Sequence, residues 1–211
     1  MKPSLSTYHC EEIVETIYER IYEKARPYLN TRKNDIHVSL SHEFMHRLLD
    51  SYPEADRDIV VPAILLHDVG WSAVPEERHS GAFGPNANDT DAQRIHEREG
   101  ARIAAAILRS LGYDDGKTKE IMAIIDGHDS RPEALSLNDK LVKDADKLWR
   151  YTPTGVDIDH ARFGIDRERY LEYLDSVIDD WFFTPEAREM AREALAEARG
   201  VIPPVPQQTG S

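Results

Sequence analysis

The sequence predicts an all-α protein, and two observations support this fold class. Apolar residues recur at helical spacing along the chain, for example as Ile13, Ile17 and Ile21, and no stretch alternates apolar and polar residues long enough to indicate a strand. Glycine, proline and capping residues separate the helical segments. With 211 residues, the chain is long enough to bury a substantial core in one domain.

The first two predicted helices begin and end at recognisable signals. An amphipathic helix is expected from Tyr8 to Arg26, and Pro27 is expected to close it. A second helix is expected from Ile36 to Asp50, after the capping pair Asn34-Asp35. Both helices alternate charged residues with an apolar stripe, so each should pack one face on a core.

The third predicted helix runs from about Glu54 to Gly70 and holds the most informative stretch of the sequence. A nearly unbroken apolar run delivers His67 and Asp68 toward the interior, where two such side chains need a compensating partner. His67 falls on the same helical stripe as Val60 and Ile64. A metal ion at the helix end could bind both side chains, and Gly70 would then turn the chain away without blocking the ion.

The rest of the chain is predicted to alternate between helices and irregular segments. Residues 72–90 are rich in Gly, Pro and Asn and are expected to form a long loop. Helices are expected over residues 91–111, 117–127 and 138–151, and an irregular segment is expected from 152 to 164. Two charged amphipathic helices should follow up to residue 200, and a tail over 201–211 should be disordered.

Charge and composition exclude several classes of function. The net charge of −13 argues against a nucleic-acid polymer or an anionic membrane surface as partner. The single cysteine, Cys10, rules out an intramolecular disulfide and fits a reducing compartment. No apolar stretch approaches the length of a membrane span or a signal peptide, so we expect a cytoplasmic protein.

Four histidines fall on the apolar stripes of four different predicted helices: His42, His67, His96 and His128. Each neutral ring buries a donor and an acceptor, and a shared metal would satisfy the rings together. Acidic ligands are available in Asp68 and in the pair Asp144 and Asp146, between which helical periodicity does not choose. His46 is expected outside the ligand set, and His9, His37 and His160 carry no motif context.

In this order and spacing, the residues resemble the His…His-Asp…Asp pattern of the HD superfamily of metal-dependent phosphohydrolases, which fold as helical bundles. His42 resembles the first histidine, His67-Asp68 the paired element, and Asp146 the closing aspartate. The resemblance implies an HD domain core over residues 36–151, a flanking helix within residues 1–35, and C-terminal helices over 152–200 that pack on the core.

His96 and His128 are similar to the extra histidines of the branch that binds two metals. The resemblance implies a first metal held by His42, His67, Asp68 and Asp146. It further implies that Asp68, the expected catalytic residue, bridges to a second metal held by His96 and His128. Mixed imidazole and carboxylate ligands suit divalent transition metals, with iron the first expectation and manganese, cobalt, nickel or zinc as alternatives.

The resemblance implies hydrolysis of a small phosphate ester, with a nucleotide as the expected substrate. The alternative is a di-iron oxygenase that uses the same ligands and dioxygen. Substrate contacts are expected from Arg131, Lys147, Arg150 and the loop residue His79. The cyclic-dinucleotide branch is not expected, because Trp71 stands where that branch has a lysine.

Overall fold

The structure is a computed structural model that describes residues 16–85 and 87–200. Within these ranges it contains α-helices and two short 3-10 turns but no strand, so the all-α prediction is confirmed. The start of the first predicted helix, Cys10 and the tail over 201–211 lie outside the described residues. The helices are α1 Ile17–Leu29, α2 Asn34–Ser51, α3 Arg57–Leu66, α4 Glu76–Ala82, α5 Thr90–Ser110, α6 Asp115–Ile125, α7 Leu137–Leu148, α8 Pro153–Phe163, α9 Arg167–Trp181 and α10 Pro185–Ala198.

Helix α3 lies at the centre of the fold. Every residue from Ile59 to Leu66 is buried, because α1, α2, α6 and α7 all pack against this helix. The C-terminal helices α9 and α10 extend the same apolar core, and α10 contacts α7. Although α3 is strongly apolar, no helix in the described part of the chain is both long and apolar enough to cross a membrane.

Three predicted boundaries need correction. Helix α1 continues past Pro27, and its last residue, Leu29, packs in the core. The expected loop 72–90 contains α4, which follows the 3-10 turn Val69–Ala73. The expected irregular segment 152–164 is α8, which has a Thr152 cap at its start and Gly164 in the left-handed conformation at its end.

Candidate metal centre

Helix α3 ends at Leu66, and the turn that follows holds His67 and Asp68 in the interior. His67 Nδ1 donates a hydrogen bond of 2.8 Å to the carbonyl oxygen of Ile64, so in the neutral ring the lone pair lies on Nε2. Gly70 allows this turn to lie directly on α5, because a Cβ atom there would stand 1.9 Å from the His96 carbonyl oxygen. The glycine therefore serves a close approach between elements.

The end of α6 repeats this arrangement. His128 Nδ1 donates a hydrogen bond of 2.9 Å to the carbonyl oxygen of Ile125, so its Nε2 also presents a lone pair to the interior. Asp129 follows His128 in sequence, as Asp68 follows His67. Two histidine-aspartate pairs at the ends of two packed helices thus face one another.

Two buried charged side chains hold the turn that carries His128. The Lys143 ammonium donates to the carbonyl oxygens of Gly127 and His128, at 2.8 and 2.7 Å. The Glu97 carboxylate accepts from the backbone N–H of Asp129 at 3.0 Å and from the turn's next residue. Both side chains act on the backbone of the turn, so they fix the direction in which its histidine points.

A first group of donor atoms comes from α2, the α3 turn and α7. His37 Nε2 lies 2.9 Å from Asp146 Oδ1 and 3.3 Å from His67 Nε2. His67 Nε2 lies 3.3 Å from the same Asp146 oxygen. The Asp68 carboxylate borders the group, because its Oδ1 lies 3.7 Å from His67 Nε2, and its Oδ2 lies 3.2 Å from His37 Nδ1, the ring nitrogen that faces away from Asp146.

A second group shares Asp68 and adds donor atoms from α5 and the α6 turn. His96 Nε2 lies 3.3 Å from His128 Nε2 and 3.4 Å from Asp68 Oδ1. Asp129 Oδ2 lies 3.6 Å from the same His128 nitrogen. Asp68 thus stands between the two groups, where one carboxylate can contact both.

Trp71 contacts two of the donor residues, Asp68 and His96. Its indole Nε1–H donates a hydrogen bond of 3.0 Å to Asp68 Oδ1. Its ring also stacks on the His96 imidazole, with centroids 4.1 Å apart and an interplanar angle of 16°. The side chain is buried, so it fixes the carboxylate and the imidazole in a dry environment.

The donor set fits divalent metal ions. Ligands about 2.1 Å from a metal stand about 3.0–3.4 Å apart at octahedral or tetrahedral angles, close to the separations seen here. Asp68 and Asp146 are buried carboxylates, which need positive charge beside them, and the exposed Asp129 adds a third carboxylate at the edge of the cluster. Facing imidazole lone pairs repel one another, and a shared metal ion would relieve this repulsion.

The charges of the cluster favour a bound cation. Burial lowers the pKa of His96 well below its ordinary value, so its ring stays neutral. Burial raises the pKa of Asp68 and Asp146, but the neighbouring histidines outweigh it and hold both pKa values well below the ordinary range. At His67, burial lowers the pKa, yet Asp68 and Asp146 raise it to about 9. The two carboxylates therefore attract positive charge to this position.

The structure brings together five of the six residues expected as ligands: His67, Asp68, His96, His128 and Asp146. The structure places His42 outside this cluster. Its ring packs edge-on against His46, with Nε2 atoms 3.1 Å apart, beside a cavity between α1 and α2. His37 and His42 project about 140° apart around α2, so only one can face the cluster, and the structure places His37 there.

The four residues expected to contact substrate lie at different places in the structure. Lys147 and Arg150 line a cavity that reaches the cluster. Arg131 instead donates to Asp139 and to backbone carbonyl oxygens at the end of α6, so the structure places it outside this cavity. His79 lies outside the cluster, because its Nε2 donates to the Val74 carbonyl oxygen at 2.8 Å and its ring packs on Trp71.

Sequence analysis missed two members of the cluster, His37 and Asp129. For Asp129, a signal was present, because the dipeptide His128-Asp129 repeats His67-Asp68. His37 shares a helical stripe with the buried residues Ser41 and Leu48, and this register distinguishes it from His42.

The candidate centre lies within a part of the chain that matches a known protein family. The family model described as HD domain matches residues 34–150, which is more than half of the chain and includes every residue of the cluster. No curated protein and no solved structure gives a significant match.

Proposed function

The chain belongs to the HD-domain family, and from this premise we propose that it is a metal-dependent phosphohydrolase that cleaves a small phosphate ester. A nucleotide is the first candidate substrate. The proposal includes two divalent transition-metal ions, with iron or manganese first, held by the two donor groups that share Asp68.

One cavity carries this proposal. It has a volume of about 230 Å³, and Asp129 and Asp146 of the donor groups line it together with the cationic side chains of Lys147 and Arg150. The remaining wall is largely aromatic and includes Phe163, Tyr170, Tyr173 and Trp181. Cations beside the metal ligands suit a phosphoryl group, and an aromatic wall suits a planar ring such as a base.

Each side chain has a definite part in this reaction. Bound metal ions would supply the Lewis acidity that activates water and neutralises charge on the phosphoryl group. Asp68 holds the two donor groups together, and Trp71 keeps its carboxylate oriented. Asp159 accepts a hydrogen bond of 2.6 Å from Arg150, which fixes that guanidinium at the cavity wall.

Phosphate release across a nucleotide panel tests the proposal. Protein loaded with manganese or iron should release phosphate from at least one nucleoside phosphate, and Asp68→Ala should abolish this release together with metal binding. The matched control is Asp35→Ala, which removes an exposed carboxylate in the first turn of α2 that belongs to neither donor group. An Asp68→Ala protein with full metal content and full turnover would contradict the assignment.

The same donor set also suits two irons, so a di-iron oxygenase is the second candidate. The cationic side chains in the cavity favour the phosphate ester over it. Oxygen consumption by the iron-loaded protein with a small organic substrate, without phosphate release from any nucleotide, would reverse this preference.

A further inference from the structure

Arg32 lies between α1 and α2, and its guanidinium is held between two aromatic rings. Its Cζ atom stands 3.9 Å from the centroid of Trp71 and 3.6 Å from that of Phe83. Arg32 also has a positive φ of 55°, a conformation that non-glycine residues seldom adopt. Arg162 donates a hydrogen bond of 2.6 Å to its carbonyl oxygen and so stabilises this backbone.

The guanidinium of Arg32 has unused hydrogen-bond donors. Its Nε and Nη1 atoms are buried and meet no acceptor among the described residues. The neighbouring arginines differ, because Arg150 and Arg162 both reach the buried carboxylate of Asp159, at 2.6 and 2.8 Å. A buried, charged donor without a partner is costly, so a ligand that supplies the acceptor would repay that cost.

The position of Arg32 points to a ligand of the metal centre. Trp71, on which the guanidinium lies, bonds Asp68 and stacks on His96. Phe83, the other ring, lines both the cavity that reaches Asp146 and a second cavity of about 290 Å³ that Arg32 itself lines. Burial lowers the pKa of Arg32 to about 10, so the group remains a cation at neutral pH.

We propose that Arg32 binds the phosphoryl oxygens of the substrate beside the metal centre, and that the phosphate product occupies the same position. This inference rests on the proposed function, since it names the group that recognises the transferred phosphoryl. The planar guanidinium, already held by stacking, loses little freedom when an oxyanion arrives.

Binding of inorganic phosphate to the metal-loaded protein, measured by calorimetry, tests this proposal without turnover. Arg32→Gln should weaken phosphate binding roughly 10- to 100-fold, as expected for losing a charge-assisted hydrogen bond. Arg32→Lys should recover part of the affinity, because it keeps the charge but not the planar fork. Arg102→Gln is the matched control, since that arginine is exposed and pairs only within its own helix.

Each outcome decides the question. Arg32→Gln with the metal content and phosphate affinity of the wild type would overturn the proposal, as would tighter Arg32-dependent binding of acetate than of phosphate. If Arg32→Gln does not fold, a phosphate affinity of Arg32→Lys equal to the wild type overturns it instead. If the wild-type protein hydrolyses nucleotides and Arg32→Gln keeps the wild-type affinity for phosphate, this inference fails and the proposed function stands. Arg32-dependent phosphate binding without any hydrolysis supports it and removes the proposed function.

Discussion

Asp144 and Asp146 stand two residues apart on α7, and their surroundings give them different roles. Asp146 faces the donor groups, 2.9 Å from His37 Nε2. Asp144 projects to the opposite side, where it accepts hydrogen bonds of 2.8 and 3.0 Å from the backbone N–H groups of Phe183 and Thr184 at the start of α10. One carboxylate therefore belongs to the candidate metal centre and the other anchors a helix.

Replacing each aspartate separately should separate the two roles. We expect Asp146→Ala to lose metal while the helices stay folded, as measured by metal analysis and circular dichroism. Asp144→Ala should keep its metal but lower the free energy of unfolding by about 2–3 kcal/mol, because buried N–H groups lose their acceptor. The opposite pattern, with metal lost only in Asp144→Ala, would contradict the register assigned to α7.

His37 and His42 allow a second paired test on α2. His37→Gln should lower the metal content of the protein, whereas His42→Gln should leave it unchanged. Equal metal loss in both variants would show that the cluster does not depend on the face of α2 that the structure assigns to it.

His42 should instead affect stability in acid. Burial, together with His46 and Arg57, lowers the pKa of His42 from its ordinary value near 6.5 to about 4. The unfolded chain therefore binds a proton at higher pH than the folded one, so stability is lost as the pH falls from about 6.5 to about 4. Urea unfolding at several pH values should show a shallower loss in His42→Gln than in the wild type; identical slopes would argue against this assignment.

At the scale of elements, the α3 turn and α5 approach so closely that both contact positions are glycines. A Cβ atom on Gly70 would lie 2.5 Å from the backbone nitrogen of Gly100, and one on Gly100 would lie 3.3 Å from the His67 carbonyl oxygen. The distance between the Asp68 turn and His96 therefore depends on the absence of a side chain at Gly70.

Gly70→Ala should push the turn away from α5. We expect metal affinity to fall and the melting temperature to drop by several degrees, because overpacking typically costs about 1–3 kcal/mol. Gly81→Ala in α4 is the control, since its Cβ would make only ordinary contacts at 3.4 Å. A Gly70→Ala protein with unchanged metal affinity would mean that the turn can shift without moving its ligands.

Helical periodicity predicted the elements that carry a long apolar stripe and missed those whose packing is decided by distant residues. Helix α5 is predicted because its stripe runs from His96 to Leu111. Helix α4 has seven residues, and its neighbour Phe83 packs on Trp71, a contact that local sequence does not reveal. The same limit applies to the candidate site, because the packing of α2 on α7 brings His37 to Asp146, and the local sequence does not reveal this contact.

At the scale of the whole molecule, the candidate centre joins α2, α5 and α7 with the turns after α3 and α6. Bound metal should therefore stabilise the entire fold. At a free concentration one hundred times its dissociation constant, one ion adds about 2.7 kcal/mol to the free energy of unfolding. Calorimetry should show a higher melting temperature with manganese or iron than after chelation; equal melting temperatures would contradict ligation by elements so far apart in the chain.

Metal stoichiometry tests whether both donor groups bind an ion. We expect about two ions per chain in the wild type and about one in His96→Ala, whose first group remains complete. A wild-type protein that never exceeds one ion per chain would exclude the two-metal arrangement.

His37 and Asp146 touch one another although 109 positions separate them in the chain. During synthesis at about 5–20 residues per second, roughly 5–20 s pass between the appearance of the two side chains. During that interval His37, His67 and Asp68 have been synthesised, but Asp146 has not. The full donor set for the proposed metal ions therefore exists only after α7 has been synthesised.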